Sequence, residues 1–132
     1  MTLLLAIIFC QIAQGQTDHL LEYQRLKRLW DTQGQLLEKE ELKQLLFHAR
    51  HLHVDSVINL GNQALAKVPQ GLTKPDLSTL YSFLSEAYTI RCDYQKADSL
   101  VGEALSYSAP KSEEQALAYR ALAFVTMRKP DA

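Results

Sequence analysis

Apolar residues recur along the chain at mixed steps of three and four, and no stretch alternates with period two. A first stripe, Leu20, Leu21, Tyr23, Leu26, Leu29 and Trp30, lies between Asp18 and Asp31, with Thr17 or Asp18 placed to cap it and Gly34 marking a break. A second runs through Leu36, Leu37, Leu42, Leu45, Leu46, Ala49 and Leu52. The third, Val57, Ile58, Leu60, Gly61, Ala64, Leu65 and Val68, has Asp55 and Ser56 as cap candidates, and Pro69, Gly71 and Pro75 form a loop after it. Further stripes occupy Leu77 to Ile90, Ala97 to Tyr107 (ended by Pro110) and about Glu113 to Met127. The pattern predicts an all-α chain.

One segment lacks the helical period. Leu3 to Cys10 is eight apolar residues without a break. That is far short of the ~20 that span a bilayer and fits the core of a secretory signal, which needs about 7–15. Ala13 and Gly15 offer an Ala-x-Gly cleavage site that would leave Gln16 first. Residues 1–15 are therefore expected to be a signal peptide, and 16–34 an N-terminal capping helix. No Lys or Arg follows Met1, so the signal lacks its basic end and the natural start is left open. Acylation of Cys10 is disfavoured because Phe9, not a small residue, precedes it. After cleavage Cys92 is the remaining thiol, so no internal disulfide is expected.

Composition narrows the function classes. A chain of 132 residues suits one domain. Apolar residues at 47% argue against disorder, and a net charge of −1 gives no basic excess for nucleic acid or anionic lipid. Catalytic signatures are missing: no Gly-rich phosphate loop, no Ser elbow, no His-Glu-x-x-His. Glu38, Glu40 and Glu41 read as a solvated helix face, and Arg25, Lys27 and Arg28 as the flank of the capping helix around Trp30.

The chain also repeats. At an offset of 40, Ala64-Leu65 falls on Ala104-Leu105, Val57 on Ala97, Gly61 on Val101 and His48 on Tyr88. The stretch Leu77 to Pro110 matches the pattern W-x2-L-G-x2-Y, A-x3-F, P: Tyr81, Leu84, Ser85 and Tyr88, then Ala97 and Val101, then Pro110. It resembles a tetratricopeptide repeat (TPR). Ser85 and Ala97 are small where paired helices approach closest; Tyr81, Leu84 and Tyr88 form the packing ridge; Ala104 is expected to face the next repeat. A weaker first repeat covers about 38–69, and an incomplete third, with Ala121 and Phe124 in the small and Tyr places, covers 113–132. The resemblance implies a TPR-like α-solenoid of antiparallel helix pairs over 35–132, about two and a half repeats. Leu117, Tyr119, Leu122, Phe124 and Val125 on the last helix would then lack a covering partner. The expectation is an N-terminal piece of a longer protein, or else closure of that edge by a homodimer.

His48, His51 and His53, with Asp55, could suit zinc or copper. The repeat register instead puts His48 in a packed Tyr place and His53 in the turn between helices, so no metal or other cofactor is expected. Cys92 stands where the repeat often has Gly and is read as structural.

The resemblance implies a non-catalytic scaffold whose first helices line a concave groove for a protein or peptide partner. The groove positions carried over are Lys39, Leu42, Leu46, Ala49 and Arg50; Thr79, Ser82, Glu86, Thr89 and Ile90; and Gln115, Ala118, Leu122, Val125 and Thr126. Ser82 and Glu86 depart from the Lys/Asn pattern of the chaperone-binding subclass, so a clamped C-terminal carboxylate is not expected. The exported, Leu-rich start and loosely spaced repeats also resemble the periplasmic TPR region of Bacteroidetes-type sensor histidine kinases and related signalling proteins. This implies an exported sensory module, with the membrane reached only through a transmembrane helix after Ala132. A self-contained secreted or periplasmic adaptor of an envelope complex is the alternative.

Overall fold

A computed structural model describes residues 2–33, 39–50, 52–67 and 72–130. These form six helices and, among the described residues, no strand: α1 (Thr2–Gln33), α2 (Lys39–Arg50), α3 (Val54–Lys67), α4 (Lys74–Ile90), α5 (Tyr94–Tyr107) and α6 (Glu113–Arg128). The predicted all-α class is what the chain forms. Gly34, Leu36, Leu37, Glu38, His51, Val68, Pro69 and Gly71, all invoked above, lie outside the described residues.

Helix boundaries follow local capping chemistry, and several differ from the pattern-based ones. The Thr73 hydroxyl accepts from the Asp76 N–H at 3.3 Å, and the Asp76 carboxylate accepts from the Thr73 N–H at 3.0 Å. This reciprocal box starts α4 at Lys74, so Pro75 belongs to the first turn and not to the loop, where its missing N–H costs nothing. Asp93 caps α5 by accepting from the Lys96 N–H at 3.2 Å, so that helix starts at Tyr94, earlier than Ala97. Ser112 caps α6 through the Gln115 N–H at 3.1 Å. Asp55 and Ser56 fall inside the first turn of α3 and are not its caps. Thr17 and Asp18 lie in mid-helix, because α1 runs through Ala13–Gly15 without a break. In the apolar start of α1, Leu4, Leu5 and Ile7 are exposed.

Between α4 and α5, Cys92 takes φ 62°, the left-handed conformation that favours Gly. Its N–H donates to the Thr89 carbonyl at 3.0 Å, and the next N–H, of Asp93, to the Tyr88 carbonyl at 2.9 Å. That is a Schellman closure of α4.

Helix α4 is the centre of the packing and touches α2, α3, α5 and α6. On one side, Leu80, Phe83 and Ala87 join a core made with Leu26 and Trp30 of α1, Leu42, Leu45, Leu46 and Ala49 of α2, and Val57, Leu60 and Ala64 of α3. Small residues set the closest approaches. Gly61 of α3 lets Leu84 lie against its backbone. On the other side Ser85 Oγ donates to the Ala97 carbonyl at 2.8 Å, and Ser78 Oγ to that of Ala104 at 2.7 Å. The Ala104 backbone is thus held against α4 in its own pair. Tyr81 stacks on Tyr107 with planes 9° apart. A smaller core of Ala97, Val101, Ala121 and Val125 joins α5 to α6. At the other end, Trp30 Nε1 donates to Gln63 Oε1 at 3.1 Å and Tyr23 donates to Ser56 Oγ at 3.0 Å, which docks α1 onto α3.

Candidate functional site

The alternate helices α2, α4 and α6 share one face that carries two clefts. The first, about 320 Å3, is lined by Glu40, Lys43, Gln44 and Phe47 of α2, Thr79 and Phe83 of α4, and Glu113, Glu114 and Leu117 of α6. The second, about 450 Å3, is lined by Arg50, by Glu86 and Ile90, and by Arg120, Ala123, Phe124 and Met127. Early residues of each helix meet in the first cleft and late ones in the second, so the three helices run the same way. On each helix the lining residues follow steps of three and four, as on α4 (Thr79, Phe83, Glu86, Ile90).

The two clefts differ in charge. In the first, three carboxylates meet one ammonium. That ammonium, of Lys43, is held 2.7 Å from Asp76 and 3.0 Å from Glu40. Burial works to lower the Lys43 pKa, but the hydrogen bonds that Lys43 donates to Asp76 and Glu40 win and raise it. Burial likewise works to raise the Asp76 pKa; Lys43 and the Thr73 N–H and hydroxyl overcome it and bring the carboxyl to about 2.

In the second cleft two guanidiniums meet one carboxylate. Glu86 is 6% exposed. Its oxygens lie 3.6 Å from Arg50 Nη1 and 3.6 Å from Arg120 Nε. Both distances allow charge attraction but are too long for hydrogen bonds. Glu86 Oε1 has no hydrogen bond among the described residues, and neither does Ser82 Oγ one turn earlier. Burial pushes the Glu86 carboxyl above the usual carboxylate range, against the pull of Arg50 and Arg120. Burial also lowers the Arg50 pKa. The Arg50 guanidinium lies over Phe47 and Phe83, 5.3 and 5.4 Å from their ring centroids. It therefore joins the two clefts. Arg128 covers Phe124 at 4.9 Å.

Of the groove positions expected from sequence, Arg50, Thr79, Glu86 and Ile90 line these clefts. Others are corrected by burial. Leu42, Leu46, Ala49, Ser82, Thr89, Ala118 and Val125 are buried, so they pack the helices and offer no surface to a partner. Leu122 packs on the α5–α6 core. Gln115 is spent on the start of α6, its side chain accepting from the Lys111 N–H at 2.9 Å. Thr126 is exposed and donates to the Leu122 carbonyl at 2.7 Å. The side chain of Lys39 lies outside those described. Sequence reasoning missed Phe47, Phe83 and Arg120 and the acidic trio Glu40, Glu113 and Glu114. A partial signal was the Phe next to the core stripe on two of the helices, Phe47 after Leu46 and Phe124 before Val125, while Phe83 lies on the core stripe itself and reaches the cleft from there.

The histidines separate. His48 Nδ1 pairs with His19 Nδ1 of α1 at 2.7 Å, with Phe47 against both rings. His53 precedes α3 and is exposed. Asp55 is taken by Arg91. Among the described residues no group of three or more His, Cys, Asp or Glu could hold a metal ion. Arg25 and Lys27 are answered on α1 itself by Glu22 and Asp31, at 3.0 and 2.6 Å. Among the described residues no helix is long and apolar enough to cross a membrane.

No family model matches the chain, and no curated protein and no solved structure matches it either.

Proposed function

We propose that this chain is a non-catalytic protein-interaction module built from TPR-like helix pairs. The observation that carries the proposal is the α2/α4/α6 face, where three helices running the same way present adjoining clefts with aromatic floors and charged walls. Such a surface suits a helix or peptide laid along it, with apolar anchors in the clefts and charges at the rim. The pairing of small residues Ser85 and Ala97 at the α4–α5 contact supports the repeat reading. The apolar start, with Leu4, Leu5 and Ile7 exposed, supports export as the sensory N-terminal part of a larger bacterial signalling protein.

Photo-crosslinking tests the docking face. A photoreactive residue at Thr79 or Ile90 is expected to trap a partner in cells, while one at Gly102, exposed on α5, traps none. Equal trapping at all three positions, or trapping at Gly102 alone, overturns the proposal. Export is tested by N-terminal sequencing of the protein made in a bacterial host. A start at Gln16 is expected; an intact Met1 overturns that part.

A further inference from the structure

The two clefts are chemically opposite, and this says what kind of partner fits. We propose that the face takes one amphipathic helix of another protein, with a basic residue at one end of its apolar stripe and an acidic residue two to three turns further on. This rests on the interaction reading above and specifies the partner's chemistry.

The spacing comes from helix geometry. Glu40 and Arg50 are ten residues apart on α2, and Glu113 and Arg120 seven apart on α6. At 1.5 Å per residue the acidic and basic walls stand roughly 10–15 Å apart along the helix direction. A partner helix covers that distance in two to three turns. Between the walls lie Phe47, Phe83 and Leu117, which suit apolar residues at steps of three and four.

The charges at each end are placed for a partner. Lys43 is occupied by Asp76, so the Glu113 and Glu114 carboxylates set the sign of the first cleft. At the other end Arg50 is drawn inward, its side chain 12% exposed, while that of Arg120 is 61% exposed and extends to solvent. An acidic side chain meets Arg120 there. Beside it, the buried Glu86 Oε1 lies 3.6 Å from Arg120 Nε and makes no hydrogen bond among the described residues, so it answers Arg120 only in part. Ile90 and Met127, 46% and 84% exposed, offer apolar contact at that end.

The test uses three synthetic helices of about 18 residues with one shared Leu/Ala stripe. One carries Lys at one end and Glu at the other, one Lys at both ends, and one Glu at both. Each is titrated by fluorescence anisotropy against the full chain, at low and at raised salt. The dipolar peptide is expected to bind about tenfold tighter than either control, an advantage that shrinks with salt. Arg120→Glu should turn the preference to the double-Lys peptide, and Glu113→Lys with Glu114→Lys to the double-Glu peptide. Unchanged Trp30 emission reports that each variant is folded. Equal binding of all three peptides, or variants that leave the ranking unchanged, overturns the charge inference and leaves the docking face standing. No binding of any peptide overturns both.

Discussion

Leu84 of α4 fills the space where a side chain on Gly61 of α3 would start: a Cβ there would stand 2.7 Å from Leu84 Cδ2. Leu84 is fully buried and has little room to turn aside. Gly61→Ala is therefore expected to destabilise. Overpacking costs about 1–3 kcal/mol, and the better helix propensity of Ala returns about 1. Gly102, with nothing within 4 Å of its added Cβ, is the internal control. Gly102→Ala should stabilise by about 0.5–1 kcal/mol. Urea unfolding of the two variants gives shifts of opposite sign.

Cys92 pays a backbone strain that Gly would not. It holds φ 62° in the turn that closes α4, and it is exposed, so its side chain adds little packing. Cys92→Gly should raise stability by about 1 kcal/mol, with the gain read as a higher thermal midpoint. A lower midpoint would show that the thiol contributes packing that its exposure conceals.

Asp76 makes the fold sensitive to strong acid. Its carboxyl titrates at about 2 in the folded chain, against about 3.9 when unfolded. A depressed folded value means stability that is complete above pH ~4 and is lost as pH falls towards 2. Asp76→Asn should remove that acid-dependent loss and lower neutral-pH stability by about 1–2 kcal/mol, since the box with Thr73 and the Lys43 pair both go. Thermal midpoints of both proteins across this range check the sign.

Glu86 acts the other way. Its folded pKa is raised, chiefly by burial, so its contribution is greatest below its unfolded value and declines as pH rises through the folded one. Glu86→Gln keeps the shape without the buried charge. The variant should melt higher than the parent at neutral pH and show a flatter profile between weakly acidic and neutral conditions. A lower neutral midpoint would mean that attraction to Arg50 and Arg120 outweighs burial.

The His19–His48 pair should make the docking of α1 respond to mild acid. One Nδ1 must donate and the other accept, so protonation of both breaks the bond. Burial first, then His19, lowers the His48 pKa; Glu22 opposes and Arg25 adds to the lowering. The His48 contribution is present above the unfolded His value of about 6.5 and is lost as pH falls through its lower folded value. Trp30, on α1 and buried, reports this directly: its emission should shift to the red on acidification. His48→Gln should abolish the shift, while an unchanged response would place its origin elsewhere on α1.

What could be read in the residue order was local. Steps of three and four marked the six helices of the described residues, and Ser85, Ala97 and Cys92 stood where small or glycine-like residues were expected, because close backbone approach and a left-handed turn restrict residue type at single positions. Caps were harder, since several Ser, Thr and Asp residues compete near each helix start; Thr73 won with Asp76 as its reciprocal partner, while Thr17 and Asp18 were overrun by α1. Eight of the fifteen groove positions expected from sequence are buried. Leu42, Leu46 and Val125 satisfy a groove pattern and a core pattern equally well, since both have the helical period. A rotation of one residue, about 100°, decides between them, and only the neighbours of each helix fix that rotation. Composition could not announce the opposed charges of the two clefts either. Glu113 and Glu114 belong with Glu40, and Arg50 with Arg120, only because α2, α4 and α6 run the same way and align their ends. Charge in a sequence is a sum; its separation into an acidic and a basic wall is a property of packing.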